Sequence, residues 1–207
     1  MRYCLNLFKD FSGHESVIRY LFLFIGYSNW IFHALQLLLH EMDSTQEVRI
    51  FLEAKESLQK NGFNIVQQDL NRPWGGFFVI DEDQAQKFAN TYFDGIEIGE
   101  LKISGKLSPK FLIVSPNKRL SWQYHHRRAE IWQVIQGTVG VVKSLTDEET
   151  ELRSYHPGDR IVLQQGERHR LVGLNEWGLV AEIWQHTDVS NPSDESDIVR
   201  LQDDFGR

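Results

Sequence analysis

From Gly75 onward the chain breaks into short apolar runs separated by polar and turn-forming residues. Runs of β type fall at residues 76–80, 95–103, 110–114, 119–124, 131–135, 139–145, 151–155, 160–163, 169–173 and 179–185. Many short strands at close spacing predict an antiparallel barrel or jelly roll. The punctuation agrees. Gly137 permits a tight turn, Tyr155-His156-Pro157-Gly158-Asp159 is turn chemistry, and Gln164-Gln165-Gly166-Glu167 turns the chain again. Residues 81–90 read as a loop or short helix, 187–196 as a polar exit, and Ile198 to Leu201 as a last ordered segment. There is no sequence repeat and no low-complexity linker.

The pattern changes before Gly75. Ser44-Thr45-Gln46-Glu47 has the form of a capping box, in which side chains satisfy the free N–H groups that open a helix. Val48, Phe51, Leu52 and Leu58 follow as an apolar stripe at helical spacing, and Asn61-Gly62 is a stop signal. The expectation is a helix against the outside of the barrel or across a dimer interface. Residues 20–39 are mostly apolar and about long enough to span a bilayer, with Arg2, Lys9 and Arg19 before them. Three readings are open for residues 1–41: an over-extended start with Met42 as the true initiator, a membrane anchor, or a packed helix. Ser28, Asn29, His33 and Gln36 weigh against the anchor, and the over-extended start is preferred. The resulting division is an N-terminal extension over 1–41, an amphipathic helix and linker over 42–70, and a barrel with its tail over 71–207.

Composition narrows the class. A net charge of -7 offers no broad basic surface for nucleic acid. Cys4 is the only cysteine, so no intrachain disulfide can staple the barrel, which fits a reducing, cytoplasmic setting. Six Trp and thirteen Phe are ample material for a core.

The candidate chemistry lies in Gln123-Tyr124-His125-His126-Arg127-Arg128-Ala129-Glu130 and in the later His169. Alternation on a strand puts Gln123 and His125 on one face. Glu130 is an odd number of residues from both, so the polar run between must bend before Glu130 can join them. An amide, two imidazoles and a carboxylate can then converge on one divalent cation, and such donors suit zinc, iron, manganese, cobalt or nickel. His126, His156 and His186 read as surface or satisfied core histidines where metal is concerned.

These segments resemble the paired motifs of the cupin family, with Gln123 in place of the usual first histidine and Gln164 in place of the usual proline. Together with Arg72-Pro73-Trp74-Gly75, Arg128-Ala129-Glu130-Ile131-Trp132 and the tail from Asp197 to Arg207, they resemble the type II mannose-6-phosphate isomerase domain. That domain stands at the C-terminus of bifunctional mannose-1-phosphate guanylyltransferase/mannose-6-phosphate isomerases. The resemblance covers roughly residues 71–207, and the chain is too short to hold the nucleotidyltransferase domain as well. It implies a mainly β, cupin-type antiparallel jelly-roll barrel preceded by N-terminal helices. It also implies Gln123, His125, Glu130 and His169 as metal ligands, with zinc first among the metals.

The activity implied is aldose–ketose isomerisation of a sugar phosphate through an enediol, mannose 6-phosphate to fructose 6-phosphate. Such chemistry needs an electrophile, a base and a cationic seat for phosphate. Arg128, inside the motif, is the leading cation. Arg72, Lys118, Arg119 and Arg200 are further substrate-binding candidates, and Arg127 and Arg207 complete the set. His126 is the candidate base, although its place beside His125 points it to the other face. Two alternatives stay open: a sugar- or metabolite-binding cupin without turnover, and an iron-dependent oxygenase using His125, His169 and Glu130 as a two-histidine, one-carboxylate triad. Cupins commonly pair, so a homodimer is expected.

Overall fold

The computed structural model describes residues 33–37, 44–94, 96–97, 99 and 106–206. The chain forms two compact units, Met1–Arg49 and Ile50–Arg207. In the first, residues 33–37 and 44–49 are helical. The expected anchor over 20–39 lies almost wholly outside the described residues. Among the described residues, no helix is long and apolar enough to cross a membrane.

The helix α1 covers residues 44–60 and stops at Asn61-Gly62, where Gly62 takes a φ of 72° that a side chain would disfavour. Its buried face is Ile50, Phe51, Ala54 and Leu58. The expected stripe is therefore corrected: Val48 and Leu52 are exposed, and Ile50 and Ala54 join Phe51 and Leu58 on the buried face.

The second unit is a two-sheet antiparallel jelly roll. Its strands are β1 (Ile65–Arg72), β2 (Gly75–Ile80), β3 (Lys110–Val114), β4 (Trp122–His125), β5 (Arg128–Gln136), β6 (Val139–Ser144), β7 (Arg153–Tyr155), β8 (Arg160–Leu163), β9 (Arg168–Gly173), β10 (Gly178–His186) and β11 (Ile198–Gln202). One sheet runs β1-β2-β3-β10-β5-β8 and the other β11-β4-β9-β6-β7. A short helix, α2 (Ala85–Tyr92), follows β2.

The central strands of the first sheet, β2, β3, β10 and β5, are buried on both faces, which explains their nearly continuous apolar runs. In β10, Leu179, Ala181 and Ile183 face a cluster that includes Leu58 of α1 and Phe88 of α2. Val180 faces the opposite way, into a cluster with Trp132, Val141 and Leu171 that fills the space between the sheets. Glu182 and Trp184 continue that inward row toward the open end of the barrel.

Most predicted strands are present. The expected strand over 95–103 falls largely outside the described residues, and Arg119 forms only an isolated bridge to Val172. The strand β1, in the stretch read as linker, is an addition. It is an edge strand with Val66, Gln67 and Gln68 exposed, so no alternation marks it.

Candidate metal centre and cavity

β4 belongs to one sheet and β5 to the other, so the chain crosses the barrel between His125 and Arg128. The crossing is the bend at His126-Arg127, and Asp197 pins it. The backbone N–H groups of His126 and Arg127 donate to the Asp197 carboxylate at 3.3 and 2.9 Å, and Arg127 Nε donates at 3.2 Å. Glu130 thereby faces back across the interior toward His125 on β4 and His169 on β9.

The three side chains are each 2% exposed. Their potential ligand atoms all lie within 4.8 Å of one another. His125 Nε2 is 3.1 Å from Glu130 Oε1, and His169 Nε2 is 3.4 Å from Glu130 Oε2. Ligands held at about 2.1 Å around one tetrahedral ion stand about 3.4 Å apart, so these spacings suit a shared cation.

Hydrogen bonding fixes which ring nitrogens face inward. The Nδ1–H of His169 donates to the Glu167 carbonyl at 2.9 Å, because a carbonyl can only accept. Its Nε2 is then a lone pair, buried without a hydrogen-bond partner and aimed at a carboxylate. Burial lowers the imidazole pKa to about 4, so the ring is neutral near pH 7 and cannot donate to Glu130. Two lone pairs facing each other in a dry interior repel, and a cation between them removes the conflict. A ligating imidazole held from behind by a carbonyl is the usual support for a metal.

His125 Nε2 stands 3.1 Å from Arg128 Nη2, and a guanidinium only donates, so this nitrogen also presents its lone pair. Arg128 Nε donates to Glu130 Oε1 at 2.7 Å, and the guanidinium lies 3.5 Å over the Trp184 ring. Burial raises the Glu130 carboxyl, and the charge of Arg128, whose Nε–H it accepts, lowers it.

An open cavity of about 570 Å³, counting its mouth, lies in front of this group. Of the residues singled out in the sequence, Arg72, Gln123, Arg128, Glu130 and Arg200 line it. Gln123 pairs with His169 across the sheet, but its amide oxygen accepts from Ser121 Oγ at 2.6 Å. The remaining candidates lie elsewhere. His126 is exposed, with its ring against Tyr124, and is corrected as a candidate base because the bend turns it away from the cavity. Lys118 is exposed on the turn after β3, and Arg119 is committed to Asp204 at 2.6 and 2.9 Å. Neither lines the cavity. Arg127 is spent on the Asp197 bend, and Arg207 lies outside the described residues.

Two cavity groups escape the sequence reading. Lys110 and Glu182 face each other in register on β3 and β10, 8% and 5% exposed. Trp132 Nε1 donates to Glu182 Oε1 at 2.9 Å and is 3.2 Å from Glu130 Oε2. Burial, reinforced by the Glu130 charge, raises the Glu182 pKa to about 8, so this carboxyl carries its proton near neutrality. The signal was a charged residue at an inward position of an otherwise apolar strand, where an unpaired charge is costly.

Residues 59–203 match the family described as mannose-6-phosphate isomerase C-terminal. The alginate biosynthesis protein AlgA of Pseudomonas aeruginosa is 29% identical over 140 residues, 67% of this chain and 23% of that protein. A mannose-1-phosphate guanylyltransferase of Salmonella montevideo is 27% identical over 168 residues, 78% of this chain and 28% of that protein. The chain thus spans under a third of the length of these curated relatives. Among solved structures, an oxalate decarboxylase of Bacillus subtilis aligns over 65% of this chain and 30% of its own, with a TM-score of 0.45 and 17% identity.

Proposed function

Because this chain belongs to the mannose-6-phosphate isomerase C-terminal family, we propose that it is a metal-dependent aldose–ketose isomerase acting on mannose 6-phosphate and fructose 6-phosphate. The observation that carries the reading is the buried His125, Glu130 and His169 group, with the His169 lone pair left facing the carboxylate behind a cation-lined cavity. A divalent ion held by these three residues, with zinc the first choice, would polarise the substrate carbonyl and stabilise negative charge on the enediolate oxygens.

The chain's own groups supply the rest. Arg72, Lys110, Arg128 and Arg200 put positive charge on the wall of the cavity, which favours a phosphorylated sugar over a neutral one. Glu182 offers a proton-bearing carboxyl inside the cavity and is the better placed candidate for proton transfer now that His126 is turned away. The aromatic rings of Trp74, Trp132 and Trp184 restrict water around the reacting carbons. Two observations favour the second reading, a sugar-phosphate-binding cupin without turnover. Ser121 holds the amide of Gln123, and Arg128 already satisfies His125 and Glu130.

A coupled assay of mannose 6-phosphate conversion to fructose 6-phosphate, run on the full chain with and without added zinc, separates the two. Activity that requires the metal and disappears with EDTA supports the isomerase. A folded, metal-loaded chain that binds the substrate and leaves it unchanged supports the binding protein.

A further inference from the structure

Lys110 is a buried cation whose counter-ion is not buried. Its side chain is 10% exposed, with the ammonium 3.9 Å over the Trp184 ring and 5.4 Å from that of Phe77. The ammonium donates to Glu195 Oε1, yet the Glu195 side chain is 62% exposed. Glu195 opens the single 3-10 turn Glu195–Asp197 that leads into β11, and it reaches into the cavity from there. Where it enters the cavity its carboxyl is partly desolvated, which raises it, but Lys110, then Arg128 and Arg72, outweigh this and lower it. Lys110 holds this carboxylate directly, in a cavity whose wall also carries Arg72 and Arg128, and the chain itself brings it in from the rim.

We propose that Glu195 occupies the seat of the ligand's anionic group, and that Lys110 becomes the anchor of that group when a phosphate monoester displaces the carboxylate. The identification of the ligand as a phosphate ester rests on the function proposed above. The energetics favour an exchange of anions over an empty seat. An unpaired ammonium at this depth is costly, so Lys110 requires an anion before and after binding. The exposed Glu195 side chain loses little packing when it swings into solvent. A phosphate dianion then meets Lys110, between the cationic walls of the cavity, with more charge and more acceptor oxygens than a carboxylate provides. Glu195 thus sets a threshold: neutral sugars cannot displace it, and phosphorylated ones can.

Orthophosphate binding to the full chain, followed by phosphorus NMR or calorimetry, tests this without any turnover. Glu195→Gln removes the resident charge at an exposed position and should tighten orthophosphate binding about tenfold, since like charges at one seat oppose each other. Lys110→Met keeps the stem that lies on Trp184 and should weaken it about tenfold. Equal or weaker binding by the Glu195→Gln chain overturns the proposal, as does undetectable binding by both that chain and the unaltered one. Unaltered binding by a folded Lys110→Met chain removes Lys110 as the anchor. Failure of the isomerase reading looks different: both shifts would be present in a chain with no isomerase activity.

Discussion

The decisive residue is His169, because its donor is spent on a backbone carbonyl and its lone pair is left facing a carboxylate. Removing its opposite ring, by His125→Ala, should abolish metal retention after dialysis. Unchanged metal content by elemental analysis would remove His125 from the ligand set. The same burial gives the metal-free chain a pH signature. His169 and His186 are lowered to about 4, so their contributions to stability are present above the ordinary imidazole value near 6.5 and are lost as pH falls toward 4. Glu182 is raised to about 8, so its contribution is complete below the ordinary carboxyl value near 4.5 and is lost as pH rises to 8. The slopes oppose each other between 4.5 and 6.5, and only the Glu182 loss remains above that. In EDTA the thermal midpoint should therefore fall between pH 6.5 and 8, and Glu182→Gln, which keeps the oxygen facing Trp132, should flatten that fall. An equally steep fall in the variant would show that Glu182 is not its source. At this scale the sequence shows the ligand residues, because imidazoles and a carboxylate in ordered motifs stand out. Lys110 and Glu182 look like solvent-facing charges until their strands are paired. Asp197 looks like a tail residue until the bend closes on it.

Elements place these residues, and turns place the elements. Gly137 and Gly166 both adopt a positive φ, 71° and 75°, yet they are not equivalent. A Cβ at Gly137 would lie 2.1 Å from the Trp177 carbonyl oxygen, whereas nothing stands within 4 Å of one at Gly166. Gly166→Ala should therefore cost only the backbone strain, about 1 kcal/mol. Gly137→Ala must also move backbone where β5 turns into β6, and should cost at least about twice as much. Urea unfolding of the two variants measures the difference, and equal midpoints would mean that the contact at Trp177 relaxes freely. Gly137 could be read as a turn from its flanking apolar runs, but its close approach to Trp177 arises only from tertiary packing. The same limit explains β1. Its polar, exposed face erases the alternation that marks β2 and β10, and its pairing with β2 alone makes it a strand. The helix α1 was legible from its capping box and stop signal, while the face it buries, with Ile50 and Ala54 in place of Val48 and Leu52, follows only from tertiary packing.

Across the whole molecule, the candidate centre is built from both sheets. β5 supplies Glu130 from one, and β4 and β9 supply His125 and His169 from the other. A cation held by all three would join the sheets at the open end of the barrel, where the cavity replaces apolar packing. With Cys4 the only cysteine, no intrachain disulfide can do the same, and among the described residues this is the group whose ligand chemistry offers such a crosslink. Binding to the folded chain alone stabilises by mass action, about 2.7 kcal/mol at a hundredfold excess over Kd. For a chain of this size that is a rise of roughly 5–10 °C in thermal midpoint. Zinc should produce such a rise in the unaltered chain, EDTA should reverse it, and the His125→Ala chain should show neither. A rise of equal size in the variant would place the ion elsewhere on the protein. No rise in either would leave the His125, Glu130 and His169 group as a polar cluster held by Arg128, and the cavity in front of it as a binding site without its electrophile.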